Sequence, residues 1–286
     1  MTGASGFIGR QVCARLTGNV EVFAVARGPQ VPAGCIPVRA DLGAAFSTEG
    51  WPDRLDCVVH LAQSARHREF PDGAADMTAI NVAATASLIE YARRAGASAF
   101  ILASTGNVYA PGPEPVGEDD PIAPGGFYAA SKAAAEDLVR PYATLLRVCT
   151  LRLFYPYGPG QEGRLIPSLI ERVRHGRPIS LSGADGLVMT PTYVDDIAAV
   201  IAAAIGDPRF TGVLNVSAPW VMTLREVGQS IGLALGQAPL FEQAGGPEPP
   251  RVVPRLDRLA ALYPPARFTP LDAGLAQMLR EKPLVT

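Results

Sequence analysis

Tyr128 and Lys132 stand four residues apart in FYAASK (127–132), a spacing that puts both on one face of a helix. A phenol is a poor base at neutral pH, with a reference pKa of about 10. A neighbouring ammonium stabilises the phenolate and lowers that value. Tyr128 can then take a proton from a substrate hydroxyl as hydride leaves, or return one in the reverse direction. The same lysine can hydrogen-bond a nicotinamide ribose. Such a pair also occurs by chance in ordinary helices, so it needs support. AFILASTGNVYAPG (99–112) supplies it. Ser104 and Thr105 end an apolar run, where a hydroxyl can face a cleft. Thr105 can hold a substrate oxygen against Tyr128, while a cofactor carries the redox chemistry. The plainer alternative is that either hydroxyl only caps the backbone.

The chain opens MTGASGFIGR. Gly3 permits a tight turn, Gly6 lets the backbone approach a diphosphate, and Gly9 removes a side chain where the helix packs. Ser5, Phe7 and Ile8 complete this expected cofactor loop, whose helix N-terminus offers N–H groups to anionic oxygens. Such a turn normally follows a central buried strand, yet only Met1 and Thr2 precede it. The first strand therefore reads as truncated, with two neighbouring strand edges left open, and the natural start is expected upstream. An NAD site often carries a carboxylate at the end of the next strand. VFAVARG (22–28) carries Arg27 there instead, which can grip a 2′-phosphate or simply be a solvated turn residue. The cofactor is therefore read as NAD or NADP. Asp41 and Leu42 can close over the adenine, or Asp41 can cap a turn.

These residues need elements to hold them. The apolar runs 20–26, 35–42, 55–62, 97–105 and 145–154 read as strands, and 212–217 as a later one. Helices are expected over 7–16, 78–95, 127–142 (ended by Pro141), 163–176, 194–205 and 223–236, with a short one near the C-terminus. Strand and helix alternate to residue 160, which implies an α/β, Rossmann-type doubly wound parallel sheet. Residues 1–160 read as an NAD(P)-binding domain. Residues 161–286 read mainly as a small C-terminal substrate-binding lobe, with some segments returning to the first domain. The proline-rich stretch 239–254 reads as extended loop.

Composition narrows the class. Of 286 residues, 48% are hydrophobic and 18% charged, so a sizeable core is expected. A net charge of -2 without a basic tract argues against a nucleic-acid partner. No apolar run reaches the length of a membrane span, and no signal peptide precedes the glycines, so cytoplasmic location is the expectation. The four cysteines form no CxxC pair and read as reduced core thiols. His60, inside VVHLA, reads as a structural histidine. His67 and Arg66 either meet an anionic substrate or lie in a solvated loop. No metal is expected.

With these motifs in order, the chain resembles the extended short-chain dehydrogenase/reductase family, the NAD-dependent epimerase/dehydratase group. The matching segments are TGASGFIG (2–9), ADL (40–42), VVHLAQSA (58–65), INVAATASLIEYAR (80–93), ASTGNVYAPG (103–112), YAASK (128–132), LRLFYPYGPGQ (151–161) and YVDD (193–196). The resemblance implies catalysis by Thr105, Tyr128 and Lys132, and a cofactor loop at Gly3, Gly6 and Gly9. It further implies adenosine- and ribose-side contacts at Asp41, Leu42, Leu61, Ala62 and Gln63. Thr105, Asn107, Tyr155 and Arg164 are the expected substrate contacts. A sugar or nucleotide-sugar substrate is implied, and a homodimer pairing helices 78–95 and 127–142.

The departures carry information. Gly106-Asn107 follow Thr105 where family dehydratases carry an acidic pair, which ranks 4,6-dehydration low. Tyr155 stands where nucleotide-sugar enzymes often show Asn, and Met189-Thr190-Pro191 where they often show Arg-Asp-Phe. Residues 165–186 nevertheless resemble the substrate-lobe segment of sugar-nucleotide enzymes. Arg164, Arg172, Arg174 and Arg177 can supply compensating charge or be solvated helix arginines. The leading expectation is an NAD(P)-dependent epimerase or ketoreductase of a sugar or nucleotide-sugar. The alternatives are an NADP-dependent oxidoreductase of a non-sugar alcohol or ketone, and a non-catalytic nucleotide-binding scaffold.

Overall fold

Glycines at 3, 6 and 9 end one strand position and start one helix. In the computed structural model, which describes residues 1–280, that helix is α1 (Phe7–Leu16). Residues 281–286 of the expected second part lie outside the described residues. The chain divides into two units: residues 1–110, 118–153 and 198–216 form one, and 111–117, 154–197 and 217–286 the other.

In the first unit the strands are β1 (Phe23–Ala26), β2 (Ile36–Arg39), β3 (Cys57–His60), β4 (Ala99–Thr105) and β5 (Arg147–Leu153). They pair in parallel, β1 with β2 and β3 with β4 with β5, and the later strand Gly212–Val216 adds beyond β5. Between β1 and β3 lies Thr2, bridged in parallel to Val25 and to His60. Its N–H donates to Val59 O at 3.0 Å, and Val25 N–H donates to Met1 O at 2.8 Å. Met1 and Thr2 thus occupy the place where an open gap between strand edges was expected. The order is that of a doubly wound sheet, as the sequence predicts. Every residue of β4 is buried, which fits a strand covered on both faces.

The helix expected over 78–95 is not uniform. Ala74–Met77 forms a short α-helical turn, α2, Thr78–Ala83 is π-helical, and only Ala84–Arg94 (α3) is regular. The wider turn carries Asn81 into the interior, where it is fully buried and its amide is satisfied on both sides. Its Oδ1 accepts from Ser64 N–H at 3.1 Å and its Nδ2 donates to Ser131 Oγ at 2.9 Å. That tertiary gain holds the irregular turn, as π-bulges often do near functional sites. Helix α4 (Phe127–Val139) stops one residue before a 3₁₀ segment, Arg140–Thr144, which contains Pro141. Proline has no N–H to continue the ladder. Leu88, Ile89 and Ala92 of α3 and Ala135 and Val139 of α4 pack with Phe100, Leu102 and Val148 in one core cluster. The thiols are free, and Cys35 and Cys57 are half-buried, so only Cys13 and Cys149 are core residues in the full sense expected.

The second unit begins with β6 (Pro156–Tyr157), α5 (Leu165–Arg174), β7 (Ile179–Leu181), β8 (Val188–Met189) and β9 (Thr192–Tyr193). Helix α6 (Val194–Gly206) follows, its residues from Ala198 on belonging to the first unit, as does the Gly212–Val216 strand, β10. After it come β11 (Met222–Thr223), α7 (Leu224–Leu235), β12 (Phe241–Gln243), α8 (Asp257–Leu262) and α9 (Leu271–Arg280). Strand β12 corrects the expectation of a plain loop over 239–254: it pairs in parallel with β7. The prolines flank those three residues and leave their N–H groups free to pair.

Candidate active site

Helix α4 presents Tyr128, Lys132 and Glu136 at successive four-residue steps, hence along one face. Tyr128 Oη donates to Gln63 Oε1 at 3.0 Å, and the ring centroid of His67 lies 5.2 Å from that of Tyr128. Lys132 is only 2% exposed. Burial pushes its pKa down to about 8, while the Glu136 carboxylate acts weakly the other way. Asn81 anchors the π-helical segment to α4 at Ser131, the residue before Lys132.

Thr105 ends β4 and is buried, and its Oγ1 accepts from Asn107 N–H at 3.2 Å, capping the turn Gly106–Val108. The capping alternative is realised, yet it uses only a lone pair and leaves the hydroxyl proton to donate. Asn107 is exposed. Ser104 takes a different part, with its hydroxyl donating to the Glu136 carboxylate.

The glycine loop fits a diphosphate. Gly3 holds φ +67°, and a Cβ there would sit 2.7 Å from Ala62 N and from Leu61 C. A Cβ on Gly9 would lie 2.0 Å from Gly3 O, so the helix start and the turn touch backbone to backbone. Ser5 and Gly6 are exposed, Phe7 and Ile8 are half-buried, and no acidic residue stands in the first turn of α1. The first-turn N–H groups are therefore aimed outward with no competing carboxylate. Leu61 N–H and Ala62 N–H bond Thr2 O (3.3 Å) and Thr2 Oγ1 (3.2 Å), which ties the end of β3 to the loop. Asp41 is exposed and its Oδ1 accepts from Gly43 N–H at 3.0 Å, as a turn cap. Leu42 packs partly buried against the core cluster. Arg27 is exposed beyond the end of β1.

Tyr155 and Arg164 belong to the second unit. Tyr155 holds φ +40°, which side-chain-bearing residues rarely adopt. Arg164 is half-buried at the N-cap position of α5 and makes no side-chain cap bond. Arg172 Nη1 donates to Pro178 O at 2.8 Å and Arg174 pairs with Glu171, so both serve the exposed face of α5. Arg66 likewise pairs with Glu69 at 2.7 Å on the surface.

Two networks are buried, and of them the sequence signalled only the histidine of the second. Arg152 on β5 and Glu136 on α4 are both 4% exposed and paired at 2.7 Å. Arg152 Nη1 donates to Tyr109 Oη at 2.6 Å, Tyr109 Oη donates to Asn215 Oδ1 at 2.8 Å, and Glu118 Oε1 accepts from Asn215 N–H at 2.9 Å. The Glu-Arg pair is far apart in sequence, and four-residue spacing from Lys132 was the only available hint. The second network holds His60. Its Nδ1 lies 2.6 Å from Thr2 Oγ1 and its Nε2 2.9 Å from Thr85 Oγ1, which itself donates to Asn81 O at 2.7 Å. Burial, then Lys132, depresses its pKa to about 3, so His60 is the structural histidine expected.

The dry ammonium has a measurable cost. Its folded pKa of about 8 lies below the ordinary 10.5, so the unfolded chain binds more protons between those values. Stability therefore rises with pH across that window, and the full penalty stands below about pH 8. At about 1.36 kcal/mol per pH unit it is of order 3 kcal/mol. Lys132→Met is expected to stabilise the apoprotein by about that amount at neutral pH. It should also flatten the alkaline rise. Urea unfolding at pH 7 and pH 10 checks both, and a less stable variant would show that the ammonium is compensated.

Comparison with known proteins agrees with this architecture. A model of the NAD dependent epimerase/dehydratase family matches residues 1–217. The low-salt glycan biosynthesis protein Agl12 of Haloferax volcanii is 27% identical over 253 residues, covering 82% of each chain. MoeE5 in complex with UDP-glucuronic acid and NAD superposes with a TM-score of 0.82 at 27% identity, covering 97% of this chain and 96% of that one. The Thermus thermophilus UDP-glucose 4-epimerase complex with NAD gives 0.79 at 29% identity, over 97% and 96%. The match spans most of the chain and includes the glycine loop and the Tyr128–Lys132 helix, and the protein belongs to the NAD dependent epimerase/dehydratase family.

Proposed function

We propose that the protein is an NAD(P)-dependent epimerase or ketoreductase of a sugar or nucleotide-sugar. The observation that carries this reading is Tyr128 set one helical turn from a dry, cationic Lys132. Relatives in complex with NAD and UDP-sugars support it. Bound cofactor supplies the hydride acceptor or donor. Tyr128 Oη takes the proton of a substrate hydroxyl or returns it, exchanging its bond to Gln63 for one to substrate. Lys132 stabilises the phenolate and holds a ribose hydroxyl. Thr105 donates to the reacting oxygen. Gly3, Ser5, Gly6, Phe7, Ile8 and Gly9 hold the diphosphate, and Asp41, Leu42, Leu61, Ala62 and Gln63 the adenosine and ribose side. Roles for Asn107, Tyr155 and Arg164 at the substrate, and of the second unit as the substrate-binding lobe, rest on the sequence resemblance.

Elimination chemistry is disfavoured, because Gly106 and Asn107 supply neither the acid nor the base that water removal needs. A non-sugar alcohol or ketone is the second reading. It is favoured by Met189, 1% exposed and uncharged, at the position where nucleotide-sugar enzymes often show arginine. A cytoplasmic homodimer formed through α3 and α4 belongs to the same proposal. Among the described residues no helix is long and apolar enough to cross a membrane. The test is to assay cofactor retained through purification, then turnover with and without added NAD(P)H. Retained cofactor with no net redox turnover identifies an epimerase, and stoichiometric consumption of NAD(P)H a reductase. Turnover of neither kind, on any sugar or simple ketone, defeats the proposal.

A further inference from the structure

We propose that Gln63 is a further catalytic residue, whose amide follows the proton of Tyr128: it accepts from the phenol and, once turned over, donates to the phenolate. The inference rests on the hydride-transfer reading above and deepens it. Tyr128 Oη, the atom that carries the proton, donates to Gln63 Oε1 at 3.0 Å. A primary amide holds two acceptor lone pairs on its oxygen and two N–H donors on its nitrogen. Gln63 Nε2 makes no hydrogen bond among the described residues. Rotation about the last side-chain bond therefore exchanges an acceptor for a donor at Tyr128 Oη without moving the backbone.

The backbone on either side of Gln63 is fixed. Ala62 N–H donates to Thr2 Oγ1 at 3.2 Å, and Ser64 N–H to Asn81 Oδ1 at 3.1 Å. From Asn81 the line continues to the tyrosine. Asn81 Nδ2 donates to Ser131 Oγ at 2.9 Å, and that hydroxyl donates to Tyr128 O at 2.8 Å. Ser64, Asn81 and Ser131 are all buried, so the line is protected from water. His67, from the same turn, has its ring centroid 5.2 Å from that of Tyr128, and its Nδ1 donates to Ser64 O at 3.2 Å. Phe70 stacks on Phe127 at 5.5 Å. The turn that carries Gln63 and the helix that carries the phenol are thus held at one spacing, which is what a group acting on a moving proton requires.

The proton can be followed through the step. As a substrate carbonyl is reduced by the coenzyme's hydride, the Tyr128 Oη–H bond breaks and its proton goes to the carbonyl oxygen. The electron pair stays on the phenolate, to which Gln63 turns an N–H. In the oxidising direction the phenolate takes the hydroxyl proton, and the amide turns back to accept it. Lys132, one turn along α4, and His67 also stand beside Tyr128. Gln63 differs from both in offering a donor that cannot ionise. A carboxylate in its place has no proton to give and repels the phenolate, and an aliphatic side chain neither gives nor accepts.

The test compares the wild-type chain with Gln63→Glu and Gln63→Leu, both changes at an exposed position. At saturating coenzyme, Gln63→Glu should lower kcat at least about tenfold, and Gln63→Leu several-fold. Phenolate absorbance of the coenzyme-free chain, with Tyr128→Phe as the blank, reads the ionisation of Tyr128 without any substrate. Gln63→Glu should move that step up by about one pH unit, and Gln63→Leu by less. Melting temperatures check that the variants fold. Wild-type kcat with weakened coenzyme binding would make Gln63 a ribose contact alone, overturning the proposal and leaving the hydride-transfer reading standing. A Tyr128 step unmoved by either change, or absent up to about pH 11, a unit above a free phenol, would overturn it as well. A wild-type chain that turns over no substrate would defeat the hydride-transfer reading and this proposal with it.

Discussion

Tyr128→Phe is expected to lower turnover by about 10²–10⁴-fold, the usual worth of a positioned acid/base. The ring remains, so its contact with His67 is kept. The hydroxyl and its bond to Gln63 are lost, and that bond lies at an exposed position. Stability should therefore change little. The phenol acts on the proton in flight, so kcat and kcat/KM should fall together. Cofactor affinity, set by the glycine loop and Lys132, should hold within about twofold, a free-energy change well under 1 kcal/mol. Stopped-flow hydride transfer with equilibrium cofactor titration separates these quantities. Turnover within a few-fold of wild type would remove Tyr128 from the chemistry.

Arg152→Met is expected to cost about 3–5 kcal/mol of stability, against about 5–15 kcal/mol for a whole domain. The substitution keeps volume but strands Glu136, whose carboxylate is 4% exposed and aligned by Arg152 from two directions. It also removes the guanidinium lying 4.6 Å over the Tyr109 ring. Removing both charges with Arg152→Met and Glu136→Leu should recover most of the loss, because an apolar pair leaves no dry carboxylate. Urea midpoints of the single and double variants measure this. A double variant no better than the single would place the cost in packing. The single variant also turns Glu136 toward its remaining charged neighbour on α4, Lys132, so its alkaline pH limb should move upward.

What could be read from the sequence was local. The glycine turn, the buried strands and the Tyr128–Lys132 step are set by residues within a few positions of each other, and their periodicities survive folding. The π-helical turn at 78–83 was not legible, because the buried amide that holds it finds partners at Ser64 and Ser131. Strand β12 was hidden by prolines around a segment of three residues, too short to show alternation. The Arg152–Glu136 pair was hidden because β5 and α4 meet only in three dimensions. Thr105 shows the opposite case: the sequence offered a cap or a substrate contact, and one hydroxyl has groups enough for both.

The bonds around His60 run in one direction. Ala62 N–H occupies one lone pair of Thr2 Oγ1, which leaves the Thr2 hydroxyl proton for Nδ1. Thr85 gives its proton to Asn81 O, so it must receive one from Nε2. Reversing the imidazole would require Thr85 to turn its proton away from the backbone carbonyl of Asn81, which has fixed it there. The ring is therefore a fixed tautomer that spans the sheet as a strut, neutral at any pH where the protein works. A bell-shaped rate profile must then be assigned without it, and its alkaline limb falls to the lysine.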